Sequence, residues 1–255
     1  MKYTHGGDIY TTEYRLDFSA NICPFGTNEA VRQAAIRGME KVTAYPDSQC
    51  RRLRQKLAET LKIPVEWIIA GNGAADVLFS LVLAEKPEKG MILAPAFQEY
   101  EQSLCSAGSQ VIVWERNPEQ GFRLDEEFLV CLEKELKEGL GIVFFCMPDN
   151  PSGVLISKDI LLQSLELCEK YYARMVVDES FWEFAFDRKR RLNCCHISGS
   201  FNHIFCFVRL QKCMAFRDSG LVMDYVRIQI SWNEWKKSDS RGVCRSRRRK
   251  QELQR

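Results

Sequence analysis

Arg174-Met175-Val176-Val177-Asp178-Glu179-Ser180 is an apolar run too short for a helix that stops on two carboxylates. It reads as a buried parallel strand with its acids at the carboxyl end. Ligands of open α/β sheets bind beyond that end of the strands, so Asp178 is placed where an acid faces a ligand rather than bulk water. The alternative is an ordinary strand-to-loop boundary. A second stretch repeats the pattern: Ile142-Val143-Phe144-Phe145-Cys146 is apolar, and Pro148-Asp149-Asn150-Pro151-Ser152-Gly153 follows it. Two strands then deliver polar side chains to one edge.

Working outward, strand and helix patterns alternate. Thr27 or Asn28 can cap a helix with Val31, Ala34, Ala35 and Met39 at helical spacing. Tyr45-Pro46-Asp47 interrupts, and Leu53, Leu57 and Leu61 mark the next helix. Trp67 to Ala70 is a short strand, joined by Gly71-Asn72-Gly73-Ala74-Ala75-Asp76 to the apolar helix Val77 to Leu83. Further strands are expected at Met91 to Ala94 and Val111 to Trp114, with helices after Phe97, through Phe128, Leu129 and Leu132, and through Ile160, Leu161, Leu165 and Leu167. Such alternation predicts βαβ units: an α/β fold with a mostly parallel sheet covered by helices on both faces. Residues 1–26, broken by Gly6-Gly7, Pro24 and Gly26, form an irregular arm, and 27–205 form one large domain.

The chain has 36 Lys and Arg against 34 Asp and Glu, a net +2, so no global field points to nucleic acid. Residues 241–255 are locally basic, with seven Lys or Arg and one Glu. The 11 cysteines are odd in number, scattered, and often inside apolar runs (Cys131, Cys146, Cys168), which suits reduced, buried thiols better than disulfides. Cys194-Cys195-His196 lacks the loop and second ligand pair of a zinc site, so no metal is expected. The first eight residues hold no apolar core of a secretory signal and no run approaches a membrane span, so a cytoplasmic protein is expected. In Gly71 to Asp76, small residues before a helix start make a phosphate cradle plausible, although a lone Gly-x-Gly is often a mere tight turn.

Taken in order, these motifs over residues 1 to about 205 resemble the fold-type I pyridoxal phosphate (PLP) enzymes related to aspartate and histidinol-phosphate aminotransferases. The resemblance implies that Gly73, Ala74 and Ala75 hold the cofactor phosphate and that Phe97, with Tyr100 as a second candidate, stacks on the ring. It implies that Asn150 bonds the ring hydroxyl and Asp178 the ring nitrogen. A carboxylate there keeps the nitrogen protonated, and a protonated ring is an electron sink. Tyr45 resembles the tyrosine that reaches the phosphate of a neighbouring subunit, which implies a homodimer. His5-Gly6-Gly7-Asp8, Leu16 to Asn21, Tyr45-Pro46-Asp47 and the glycine turn together look most like the threonine-phosphate decarboxylase branch of cobalamin biosynthesis, with His5, Gly6, Asn21 and Asn150 toward a phosphorylated amino acid. The histidinol-phosphate aminotransferase branch is the alternative. The family's usual Asn-Pro-x-Asn-Pro-Thr-Gly begins here with Met147, and its threonine is Ser152.

The resemblance breaks after residue 205. The family's Schiff-base lysine and Pro-Gly-x-Arg-x-Gly-Tyr motif are missing from 206–227, where only Lys212 stands. Decoded one nucleotide earlier, Leu210 to Tyr225 permit FTKMYGIPGLRLGYGL, the family motif without a gap. A reading-frame change near Cys206 follows, with 206–255 an out-of-frame segment expected to be poorly ordered and the C-terminal small domain missing. Lys212 keeps the place of the expected lysine and Gly220 stands where the phosphate-binding arginine would be. An inactive remnant is therefore a third reading, and the basic tail reads as out-of-frame translation rather than a selected nucleic-acid patch.

Overall fold

The computed structural model describes residues 15–16, 19, 26–185, 204–208 and 224–228. Two helices come first, α1 (Glu29–Met39) and α2 (Arg51–Leu61), followed by β1 (Ile68–Gly71) and α3 (Ala74–Glu85). Then β2 (Lys89–Ala94), α4 (Gln98–Ser106), β3 (Gln110–Glu115), α5 (Glu126–Lys137), β4 (Leu140–Cys146), α6 (Lys158–Lys170) and β5 (Arg174–Asp178) alternate. Two short strands, β6 (Ile204–Val208) and β7 (Asp224–Ile228), complete the sheet.

The sheet order is β1-β7-β6-β5-β4-β2-β3. β3, β2, β4, β5 and β6 run parallel, while β7 pairs antiparallel with both β6 and β1. β6 crosses the boundary drawn at residue 205 and β7 lies beyond it, in the stretch where no element is expected from the sequence.

Strand side chains alternate between two cores. Met91, Leu93, Val143, Phe145, Met175 and Val177 pack with Phe128 and Leu132 of α5 and Leu161 and Leu165 of α6. Ile92, Ile142, Phe144, Val176 and Phe205 face the other way, onto Val77, Leu78 and Leu81 of α3 and Tyr100 and Leu104 of α4. At about 1.5–3 kcal/mol for each large apolar side chain removed from water, β4 and β5 are the best anchored parts of the described fold. That rigidity is what holds their carboxyl ends.

Helix starts follow their caps. Asn28 accepts from Ala30 N at α1, Asp125 accepts from Glu127 N and Phe128 N at α5, and Ser157 accepts from Ile160 N at α6. α1 differs from the apolar face expected of it, since none of its residues is buried. Ile36 is 50% exposed and Met39 66%, because no described element packs over that side. Among the described residues, no helix is long and apolar enough to cross a membrane.

Candidate functional site

Cys146 pairs with Asp178 in register, and Met147 N donates to Asp178 O at 2.8 Å, so β4 and β5 end level with each other. Asp178 is 6% exposed. Its Oδ1 accepts from Ser180 N at 2.8 Å and its Oδ2 from the Tyr100 hydroxyl at 2.7 Å. Each carboxylate oxygen keeps a second lone pair, so the acid is held in place by the protein yet retains the capacity to accept from a ligand N–H.

Tyr100 comes from the first turn of α4, which begins just after Phe97. Its ring stacks on Phe144 with centroids 5.0 Å apart and planes 7° apart, and meets Phe97 edge-on at 5.5 Å. Burial, and then the Asp178 charge, hold the Tyr100 phenol well above its usual range. It therefore stays protonated and donates to Asp178. With one ring face on Phe144, Tyr100 acts here as the partner of Asp178, and the Phe97 ring is half-buried beside it.

The α3 end of the site depends on two glycines. Gly73, the residue before the helix, has φ 93° and ψ 161°, in the region that favours glycine. A Cβ on Gly71 would come within 2.4 Å of Val77 Cγ2. Asp76 turns back to accept from Asn72 N at 2.8 Å and closes the turn. No side chain among the described residues caps α3, so the amides of its first turn and its partial positive charge are left for an anion. Ala74, Leu78, Phe97, Tyr100 and Asp178 line one pocket. Along one wall this arrangement offers an anion site, an aromatic surface and a buried carboxylate.

Asn150 is half-buried in the loop after β4, and its backbone N–H meets Cys146 Sγ. Burial, with Asp178 and Asp149 nearby, raises the Cys146 thiol well above its ordinary range and keeps it a neutral filler. Met147, where the motif usually has asparagine, is 3% exposed and packs into the core. The Ser152 hydroxyl donates to Asp149 Oδ2, a use for the oxygen that the serine retains. Asp149 in turn pairs with Arg116 at 2.8 Å. Arg116 and Asp149 have no role in the sequence reading, although an arginine just past a strand and an acid inside the Pro148 to Gly153 motif were the available signals.

Gly73, Ala74, Ala75, Phe97, Asn150 and Asp178 therefore all lie at the carboxyl edge of the sheet or at the α3 start. Tyr45 does not join them, being 102% exposed on its own chain. His5, Gly6, Asn21, Lys212, Cys194-Cys195-His196 and residues 241–255 lie outside the described residues.

The model of the family "Aminotransferase class I and II" matches residues 14–207. Threonine-phosphate decarboxylase of Salmonella typhimurium is 32% identical over 188 residues, 71% of this chain and 50% of that protein. Histidinol-phosphate aminotransferase 2 of Archaeoglobus fulgidus is 30% identical over 198 residues, 74% of this chain and 54% of that protein. In fold, the chain is similar to the histidinol-phosphate aminotransferase of Clostridium acetobutylicum, with TM-score 0.74, 24% identity, 90% of this chain covered and 66% of that one. The chain spans about half the length of the relatives it matches in sequence. Family match, sequence identity and the strand-end acid agree: the chain belongs to the class I and II aminotransferase family.

Proposed function

We propose that residues 27–205 are the cofactor-binding domain of a PLP-dependent carboxy-lyase of the threonine-phosphate decarboxylase type. Pyridoxal 5′-phosphate is the cofactor of the family. The observation that carries the proposal is the buried Asp178 carboxylate, bonded by Tyr100 and lining one pocket with Phe97 and the α3 start. These residues fit the cofactor in donor chemistry. Uncapped amides of Gly73, Ala74 and Ala75 suit its phosphate, the Phe97 ring suits its ring face, Asn150 suits its hydroxyl, and Asp178 holds a proton on its ring nitrogen. When bound, pyridoxal phosphate supplies an electron sink for the pair left on a substrate α-carbon as a neighbouring bond breaks.

The chain's own part is to anchor and orient. Lys212 is assigned as the covalent anchor by its count from Asp178, and Tyr45 as a phosphate contact in a second copy. His5, Gly6, Asn21 and Asn150 are assigned to a small phosphorylated amino acid. Decarboxylation requires the C–COO⁻ bond, and amino transfer the C–H bond, to stand perpendicular to the ring. The 32% identity to the Salmonella decarboxylase supports the first, giving aminopropanol phosphate from threonine phosphate. The 30% identity to the Archaeoglobus protein keeps a histidinol-phosphate type of aminotransferase as the second reading. A homodimer is supported by α1 and the residues after it, where Ile36, Met39, Val42 and Tyr45 are all exposed. We also place the protein in the cytoplasm. The frame change leaves this chain impaired or an inactive remnant.

The test is to titrate the 255-residue chain with PLP by absorbance, and to assay it and a frame-restored version for CO₂ release from threonine phosphate and for amino transfer from histidinol phosphate. The expected result is feeble cofactor uptake and no CO₂ from the chain as written, with both present after restoration. Amino transfer without CO₂ would replace the first reading by the second. Absence of the Pro-Gly-Leu-Arg-Leu-Gly-Tyr motif from every shifted frame of the DNA would remove the frame-change reading.

A further inference from the structure

Arg116 stands immediately after β3 with its side chain 1% exposed, and Asp149 stands after β4 with its side chain 5% exposed. Their ion pair, Nη2 to Oδ2 at 2.8 Å, joins the ends of two strands that are not neighbours, because β2 runs between β3 and β4. On the way it fastens the end of β2. Arg116 N donates to Ala94 O at 2.9 Å, Nε to the same oxygen at 3.4 Å, and Nη2 to Pro95 O. Ala94 and Pro95 lead directly into Phe97.

On the other side, Asp149 Oδ2 also accepts from Ser152 N at 3.1 Å and from the Ser152 hydroxyl. The Asp149 backbone closes the same loop, its N donating to Val154 O at 2.9 Å and its O accepting from Gly153 N at 2.8 Å. Asn150 lies inside that loop. One guanidinium thus reaches the turn that carries Phe97 and the loop that carries Asn150.

Stability alone gives little reason for charges here. Desolvating a buried pair costs about as much as its attraction returns, and apolar residues of similar volume often do as well. A planar guanidinium offers something apolar residues lack, namely donors fixed at set angles toward separate acceptors. We propose that Arg116 and Asp149 are positioning residues: their buried ion pair fixes the Phe97 turn and the Asn150 loop relative to each other. The proposal deepens the reading of this edge as the cofactor site and rests on that reading for its consequence in binding.

The experiment uses the full 255-residue chain carrying Arg116→Met with Asp149→Leu, and Asp149→Asn for comparison, which keeps an acceptor for Arg116 and Ser152 but removes the counter-charge. Three quantities are measured: the urea midpoint, amide hydrogen exchange residue by residue, and the PLP dissociation constant. The expected result is a midpoint equal to the parent's or higher, with amides of both loops exchanging at least about tenfold faster and those of β4 and β5 unchanged. Asp149→Asn lowers the midpoint by leaving a buried charge unpaired, while the acceptor it keeps holds its loop amides closer to the parent's than those of the double variant. PLP binding weakens by about tenfold or more in the double variant. Parent-like exchange in either loop overturns the proposal, and so does faster exchange spread evenly over the sheet. If the double variant does not fold, Arg116→Lys replaces it, keeping the charge without the fork, and is judged by the same exchange pattern. A parent that takes up no PLP would count against the cofactor reading, while loop exchange would still decide the clamp.

Discussion

Two arginine–carboxylate pairs, one buried and one partly buried, lie at opposite ends of the same sheet. At the amino end, Arg174 at the start of β5 meets Glu85 at the end of α3, with Nη2 at 2.6 Å and Nε at 3.1 Å from Oε1. At the carboxyl end, Arg116 meets Asp149. The first joins two elements already fixed by apolar packing, and the Glu85 side chain is 29% exposed to water. The second joins loops and is nearly sealed, and its Asp149, like Asp178, acts on the Cys146 thiol. The same chemistry therefore serves to fasten the body at one edge and to set the geometry of a site at the other.

That contrast is open to test. The largest effect is expected at Asp178. In the frame-restored protein, Asp178→Ala should remove measurable turnover, and loss of a charge-assisted partner worth about 1.5–3 kcal/mol should weaken PLP binding roughly tenfold to a hundredfold. Glu85→Gln, assayed alongside, should leave both unchanged. If Glu85→Gln weakened binding as much, the division between the edges would not hold.

Next is Phe144, 1% exposed between the β-sheet and α4. Phe144→Ala should lower stability by about 3–5 kcal/mol in urea melts and also remove the surface on which Tyr100 stacks. A loss of stability with no change in cofactor affinity would show that Tyr100 holds Asp178 without that support.

A third prediction concerns alkaline pH. Burial raises Cys168 to about 12, and raises Tyr100 and Cys146 well above their ordinary values. The folded chain thus holds these protons while the unfolded chain releases its thiol protons from about pH 8.5 and its phenol protons from about pH 10. Above pH 8.5 the unfolded state binds fewer protons, so stability should be whole below that pH and fall as pH rises, by at most about 1.4 kcal/mol per pH unit for each group. Cys168→Ala, on α6 and away from the carboxyl edge, should remove part of that slope between about pH 8.5 and 12. An unchanged slope would assign the effect to the other raised groups, Cys146, Tyr100 and Cys131.

The smallest effect is expected from Arg174→Met, at about 1–2 kcal/mol, since the partner it leaves is partly solvated. PLP uptake should not change.

Much of this edge was legible in the sequence because short apolar runs ending in Asp178 and in Pro148 to Gly153 have few ways to fold. β5 begins and ends where the pattern sets it, and β4 begins only two residues before the Ile142 expected. Side-chain contacts were not legible. Nothing in local spacing brings Tyr100 to Asp178, 78 positions away, or Arg116 to Asp149, 33 positions away. Those contacts come from the sheet order, which interposes β2 between β3 and β4. α1 shows a different limit: its helical spacing was right, but periodicity marks an apolar side without saying what covers it.

For α1 this has a consequence for how its order depends on protein concentration. A helix of 11 residues is marginal in water by itself, and most helices of this length depend on packing along one face. α1 has a capped start and a Glu29 pair with Arg32 and Gln33, but no buried side chain. In the homodimer proposed above, its helicity should rise as copies pair over that side and fall on dilution, while the strands beneath Asp178 stay as they are. The amides of 29–39 would then report that pairing, exchanging quickly when the chain is dilute and more slowly when it is paired.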